Sequence, residues 1–292
     1  MELLAPGGTE ILLRDLVQDH IGMLFDKDKT LLLLDKLSPL VIERGFQSFL
    51  DYYYLLKYDD KANIEWKKVI DAVTVQETFF WREIDQIHAL VDILVPEWAA
   101  RGYGEPLRIW SAACATGEEP LTIAMALSEA GWFERIPIEI YATDGSGAAL
   151  QKAKDGRFRE RAFRNLPLAL RTKYFRQEGN MWRVDPELHS HIRWGVANLV
   201  NRSEILRFAA SQFIFCRNVF IYFSNETIRR VVRTFAERIQ PPAYLFVGVS
   251  ESLLKASNDF ELISVGNAFV YKSTASKAMP SALNQVNTAA VK

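Results

Sequence analysis

Residues 107–120 read Leu-Arg-Ile-Trp-Ser-Ala-Ala-Cys-Ala-Thr-Gly-Glu-Glu-Pro, and their reading decides the fold class. Leu107 to Trp110 is a short apolar run, the signature of a buried strand. Ser111 to Ala115 are small, Thr116-Gly117 is a turn, and Leu121 to Ala130 is apolar at helical spacing. Glu118 and Glu119 fall in the first helical turn, where negative charge suits the helix dipole. Pro120 is tolerated there because a first-turn N–H has no intrahelical partner. Strand, tight loop and helix form the ligand-facing corner of a doubly wound sheet, and equally an ordinary turn of any α/β protein.

Working outward, the loop has one glycine and lacks the G-x-G-x-x-G pattern that brings backbone against a pyrophosphate. The next apolar run, Ile138–Ala142, ends at Thr143-Asp144. An acid at that strand tip is where such folds hold ribose hydroxyls. Ribose without diphosphate points to a nucleoside, of which S-adenosylmethionine is the commonest; the alternative is a turn aspartate before Gly145-Ser146. Further strands are expected at Ile192–Val196, Phe213–Cys216 and Tyr244–Val249, with a terminal pair near Phe260–Ile263 and Phe269–Ser273. Helices are expected at Glu119–Ala130, Ala148–Ala153 and Glu226–Gln240, the last stopped by Pro241-Pro242. Tyr174-Phe175, Met181–Val184 and Ile192–Trp194 suggest short antiparallel strands that interrupt the alternation over 171–196.

Upstream, residues 9–73 read as helices, with Gly45 as a stop. The stripe Phe49, Tyr52, Tyr53, Leu56 has the spacing of a core face. A helix is expected over Ile84–Ala100, before a loop with Gly102 and Gly104. Residues 274–292, rich in Ser, Ala, Asn, Gln and Thr, have the composition of a flexible tail.

The 292 residues suffice for one large or two modest cores. A net charge of −1 gives no global pointer to nucleic acid. The opening Met1–Pro6 lacks the basic and apolar regions of a signal peptide. The aliphatic run Leu31–Leu34 falls far short of the ~18 residues of a membrane span. Cys114 and Cys216 read as buried free thiols of a cytoplasmic protein. His189-Ser190-His191 has no companion ligands at metal-site spacing, so no metal is expected.

Four ordered stretches resemble the CheR family of chemotaxis receptor methyltransferases. They are Trp110–Pro120, Thr74–Glu83 (Thr-Val-Gln-Glu-Thr-Phe-Phe-Trp-Arg-Glu), Phe215–Phe223 (Phe-Cys-Arg-Asn-Val-Phe-Ile-Tyr-Phe) and Gly248–Leu253 (Gly-Val-Ser-Glu-Ser-Leu). The resemblance runs from about Leu12 to Lys272. It implies a Rossmann-like S-adenosylmethionine methyltransferase sheet with an N-terminal helical domain and a small antiparallel β-subdomain insertion. The divisions expected are a helical domain over 1–83, a connecting helix and linker over 84–104, the methyltransferase domain over 105–273 with the β-subdomain at about 171–196, and the tail. The implied reaction is methylation of glutamate carboxylates on a chemoreceptor-type protein, with S-adenosylhomocysteine as product. Alternatives are a methyltransferase with another acceptor and a cofactor-binding module without turnover.

The resemblance also implies site residues. Gln76, Thr78 and Arg82 match the family's Asn, Thr and Arg contacts, with Gln76 in place of Asn. Ala113, Gly117 and Glu118 belong to the first loop, and Glu118 would face the methionine ammonium. Asp144 is the ribose acid. Asn198 and Leu199 lie near the adenine, and Asn218 and Val219 follow the fourth core strand. Arg82 suits a carboxylate, the cofactor's or the substrate's, because a guanidinium binds one bidentately; its other reading is an ion pair with Glu83 or Asp85. Tyr222 either positions the acceptor or is a core aromatic. Val249 stands where relatives often have His. Some relatives grip a receptor's C-terminal tether with a glycine-rich loop; the turn Gln177-Glu178-Gly179-Asn180 has one glycine, which implies a tether-independent enzyme. The basic helix that docks relatives on their receptor is charge-balanced here. A basic stretch runs instead from Lys152 to Arg176, either drawing an acidic protein substrate or forming a solvated face.

Overall fold

The computed structural model describes residues 3–4, 7–59, 62–102 and 104–274. Beyond Thr274, the expected tail lies outside the described residues. The chain opens with four helices: α1 (Thr9–Ile21), α2 (Thr30–Glu43), α3 (Phe49–Tyr58) and α4 (Ala62–Val73). Leu13, Val17 and Ile21 recur every fourth residue and put one face of α1 in a core shared with Leu33, Leu37, Tyr52 and Trp66. The aromatic stripe of α3 packs into that core. The Ser48 side chain starts α3 by accepting the Asp51 N–H.

The helix expected over 84–100 is wound in three registers: α5 (Ile84–His88), a π-helical stretch (Ala89–Leu94) and α6 (Val95–Ala99). Pro96 has no N–H to continue the α-helical ladder. Val95 N–H instead donates to Leu90 O, and the Val91 carbonyl takes the Trp132 indole N–H at 3.0 Å.

The α/β region runs β1 (Leu107–Ala112), α7 (Glu118–Glu129), β2 (Ile138–Asp144), α8 (Gly147–Asp155), β3 (Arg157–Arg159), α9 (Leu168–Tyr174), β4 (Phe175–Glu178), β5 (Met181–Val184), α10 (Pro186–Ser190), β6 (Ile192–Val196), α11 (Arg202–Ile205), β7 (Phe213–Phe215), α12 (Asn225–Arg238), β8 (Tyr244–Phe246), β9 (Phe260–Val265) and β10 (Ala268–Ser273). The main sheet has the order β6-β2-β1-β7-β8-β10-β9. Its first five strands are parallel, and the β9–β10 hairpin adds antiparallel strands at one edge. Strand order reverses between β1 and β7, and the crevice beyond the carboxyl ends there is where such sheets bind ligands. Two apolar layers sandwich the sheet, one around Phe80, Leu121 and Phe246, the other around Trp110, Val232 and Phe235.

Two expectations are corrected. The antiparallel sheet is β3-β5-β4, so its third strand, Arg157–Arg159, lies upstream of the 171–196 stretch. Of the two readings given to Ile192–Val196, main-sheet strand and short antiparallel strand, the first holds: it pairs in parallel with β2, so that Ile192 is buried in the layer beneath. The strand expected over 244–249 stops at Phe246. The Val247 carbonyl accepts Gln86 Nε2 at 2.8 Å, and the Gly248 N–H donates to the Glu251 carboxylate, so neither is left for a ladder.

Candidate active site

A cleft of about 1110 Å³, open mouth included, lies beyond the carboxyl ends of β1, β2, β6 and β7. Its walls bring together Gln76, Thr78 and Arg82, Ala113, Asp144, Asn198 and Leu199, Asn218 and Val219, and Tyr222. These residues are spread over almost 150 positions of sequence, and the sheet's parallel register delivers their segments to one edge. The helical region supplies a further wall through Ile21, Met23 and Ile70.

Asp144 ends β2 and is 9% exposed. Its Oδ2 accepts the Ala115 N–H and its Oδ1 the Ser146 N–H, both at 2.8 Å. The residue therefore ties the first loop to the second as well as facing the cleft. Burial pushes its carboxyl above the ordinary range; the two backbone N–H groups oppose this, and the Asp71 carboxylate adds to it. Ser146 caps α8 through the Ala149 N–H, donates to Asp71 Oδ1 at 2.6 Å, and accepts Gln76 Nε2 at 3.1 Å. The glutamine that replaces Asn thus joins a polar latch between α4 and α8.

Gly117 and Glu118 do not reach the cleft wall. Gly117 has φ +96°, and a Cβ there would sit 2.9 Å from the Trp194 ring and 3.0 Å from Ala153 Cβ. Local conformation and side-chain packing require the glycine. Glu118 is 4% exposed, accepts the Thr116 hydroxyl at 2.6 Å, and is pushed up by burial. The next position, about 100° around the helix, turns Glu119 toward the cleft. Glu119 accepts Ser111 Oγ at 2.6 Å and lies 3.3 Å from Arg217 Nη1. Burial pushes its carboxyl up against the opposing pull of Arg217.

Arg82 and Arg217 both line the cleft in contrasting states. The Arg82 side chain is 30% exposed; its contact to Glu83 is 3.9 Å, and one Nη1 bond reaches the Glu77 carbonyl at 3.3 Å. Its guanidinium lies 5.5 Å from the Phe79 ring centroid. Arg217 is buried, donating from Nη2 to Arg82 O at 2.7 Å and to Glu83 Oε2 at 3.1 Å, while its buried Nε has no partner among the described residues. Its signal in the sequence is a cation inside the apolar run 213–223, which must be paired once buried.

The asparagines are engaged with protein. Asn198 Nδ2 donates to the His20 carbonyl at 2.7 Å, tying the end of α1 to the sheet edge, and its Oδ1 accepts the Val200 N–H. Asn218 Nδ2 donates to Glu83 Oε1 at 3.2 Å. Leu199 is buried, whereas Val219 and Tyr222 are half-buried. Tyr222 ends a single 3₁₀ turn, and its carbonyl accepts the Leu24 N–H at 2.7 Å.

Trp81, Glu83, Ala113, Ala115 and Asn218 are non-glycine residues with positive φ, from +48° to +67°. All lie in the three segments that frame the cleft. Such conformations cost of order 1–3 kcal/mol each and persist where surrounding contacts hold them. No residue-type pattern announces them. The two histidines diverge: His191 stacks on Phe133, and His189 Nε2 lies 3.0 Å from the Ala153 carbonyl. No group of three or more His, Cys, Asp or Glu side chains is placed to hold a metal among the described residues.

Comparison with known proteins adds to this geometry. Residues 76–269 match the family model described as CheR methyltransferase, SAM binding domain, and residues 11–74 match CheR methyltransferase, all-alpha domain. The chain is 36% identical over 253 residues to chemotaxis protein methyltransferase 2 of Vibrio cholerae, covering 85% of this chain and 87% of that one. It is 29% identical to chemotaxis protein methyltransferase Cher2 of Pseudomonas putida, over 89% and 95% of the two chains. It is 30% identical to chemotaxis protein methyltransferase 1 of Pseudomonas aeruginosa, over 89% and 96%.

Proposed function

The chain belongs to the CheR methyltransferase family, and from that membership we infer that it transfers a methyl group from S-adenosylmethionine to glutamate side chains of a chemoreceptor-type protein. The observation that carries the reading is the cleft at the β1–β7 switch point, where three of the four family-like stretches and Asp144 converge on one volume. The residues present fit the methyl donor. Asp144 offers a buried carboxylate with acceptor capacity beyond its two backbone bonds, as a pair of ribose hydroxyls requires. Arg217, with an unpartnered buried Nε, and Glu119 beside it offer opposite charges at one end of the cleft, as an α-amino-acid group requires. Ile21, Ile70, Leu199 and Val219 offer apolar walls for an adenine.

When bound, that donor supplies an electrophilic methyl group on a sulfonium. The chain's residues have little acid–base work to do. A glutamate of ordinary pKa is already a carboxylate at neutral pH, and a departing thioether needs no proton. The protein's task is to align the carboxylate with the methyl group and exclude water. We assign Arg82 and Tyr222 to the acceptor side. Of the two guanidiniums lining the cleft Arg82 is the less committed to protein partners, and Tyr222 stands at the cleft wall on a short turn. Gln76, Thr78, Ala113, Asn198, Leu199, Asn218 and Val219 shape the cofactor's walls in this reading, and Glu119 takes the place that the sequence offers to Glu118.

Receptor recognition without a C-terminal tether is part of the same reading. Glu178 and Met181 are paired, so only Gly179 and Asn180 form the tip of the β4–β5 hairpin. Glu178 is itself engaged by Arg157 and Arg183. No helix among the described residues is long and apolar enough to cross a membrane, and we place the reaction in the cytoplasm.

The test is transfer of labelled methyl from S-adenosylmethionine to protein in a lysate, followed by mild base. Carboxyl methyl esters hydrolyse, N-methyl groups persist, and a module without turnover labels nothing. Base-stable label, or none, would overturn the assignment.

A further inference from the structure

The loop after β8 carries a carboxylate that the site described so far does not use. Glu251 Oε2 accepts the Gly248 N–H at 2.6 Å and the Asn218 N–H at 2.8 Å, and Oε1 accepts the Ile221 N–H at 3.1 Å. One side chain thus gathers backbone donors from two loops, those following β7 and β8. Each bond has an ionised acceptor, the stronger class of hydrogen bond.

What Glu251 holds is the cleft wall. Asn218 sits at φ +57°, in the left-handed region that asparagine enters more readily than other non-glycine residues with a Cβ. Between the two clamped amides of Asn218 and Ile221 the chain passes through Val219, and Tyr222 follows directly; Asn218, Val219 and Tyr222 all line the cleft. Gly248 completes the arrangement. A Cβ there would lie 2.4 Å from Asn218 Nδ2 and 2.9 Å from Glu251 Oε2, so only glycine lets the two loops close on each other. Glu83 grips the same assembly from the other side, accepting Asn218 Nδ2 at 3.2 Å and the Val249 N–H at 3.3 Å.

We propose that Glu251 is a positioning residue of the methyl-transfer site, whose carboxylate holds the backbone of residues 218–222 in the shape that receives the cofactor. The link to methyl transfer rests on the function proposed above; the clamp itself does not. Glu251→Gln keeps the size but leaves one acceptor oxygen for three donors and turns an NH₂ toward one of them.

Two measurements on the full chain test this. Amide hydrogen exchange should accelerate by about tenfold or more at Asn218, Ile221 and Gly248, and stay unchanged in β1 and β2. Calorimetric affinity for S-adenosylhomocysteine should fall by about tenfold or more, because a wall displaced by an ångström receives the ligand poorly. A merely structural residue would instead speed exchange throughout and lower the melting temperature in proportion. Loosened loops with unchanged affinity, or exchange unchanged at the three amides, would overturn the proposal. If Glu251→Gln does not fold, Glu251→Asp, which keeps the charge but is one methylene too short to span both loops, is read by the same criteria. A wild-type chain that fails to bind S-adenosylhomocysteine would sink the functional reading, while the exchange data would still decide the clamp.

Discussion

Two side chains concentrate the chemistry in the proposed function, and each can be altered without changing its outline much. Arg82 makes no close bidentate contact with a carboxylate of the described residues, so its planar fork is available to a ligand. Arg82→Lys keeps the charge and loses the fork. A lost charge-assisted contact costs about 1.5–3 kcal/mol; turnover and S-adenosylhomocysteine affinity are the measurements, and Arg82 is structural if both equal wild type. Asp144→Asn should weaken S-adenosylhomocysteine binding about tenfold or more, at 1.4 kcal/mol per decade, as titration calorimetry would show. The pH dependence has a definite sign. Burial raises the carboxyl in the folded chain above its ordinary 3.8, so the folded state holds its proton to higher pH than the unfolded state does. The ionised form costs stability at neutral pH, and that cost disappears as pH falls through the raised value. The melting temperature of wild type relative to Asp144→Asn should therefore rise between about pH 7 and about pH 4, while wild-type cofactor affinity falls over the same range.

The turns between elements carry the next level of constraint. Gly117 precedes α7 at φ +96° with the Trp194 ring packed where a Cβ would go. Gly117→Ala should destabilise the fold by about 1–3 kcal/mol through strain and overlap. Chemical denaturation would read this as a lower midpoint at unchanged slope. If the midpoint holds, the loop can shift and the close packing against Trp194 is not a constraint. Gly117 is thus placed by packing, although the sequence offers it as a ligand-loop glycine. The same level explains Glu118 and Glu119. Adjacent acids at a helix start are equivalent to the dipole, and only the rotation of α7 over the sheet decides which one faces the cleft.

Across the whole molecule, the helical region and the sheet share one cavity. Ile21, Met23 and Ile70 stand on one side of it, and the Asn198–His20 and Ser146–Asp71 bonds hold that side in place. At this scale the prediction concerns the protein substrate. With only two residues at the β4–β5 tip, removing a receptor's C-terminal tail should leave its methylation rate within about twofold, a difference of less than 0.5 kcal/mol. A large loss on tail removal, measured with matched receptor fragments, would refute tether independence. The basic stretch 152–176 is partly spent internally, since Arg157 pairs with Glu178, Arg171 with Glu160 and Lys173 with Glu129. That part of its charge is therefore unavailable for steering.

The α/β class, the helical region before it and the ligand edge of the sheet were legible in the sequence. Strand runs, helical periodicity and an acid at a strand tip are local patterns, and local patterns follow from backbone geometry. Most residues of the candidate site were legible for the same reason, because they sit at strand ends that parallel pairing must bring to one edge. Tertiary structure alone decided the rest. The buried pairing of Arg217 with Glu83 and Glu119, the choice of Glu119 over Glu118, the cleft wall from α1 and α4, and the grip of Glu251 on Asn218 and Ile221 join positions from 30 to more than 100 residues apart. They depend on how elements rotate and pack against one another, and no spacing within a single element encodes that.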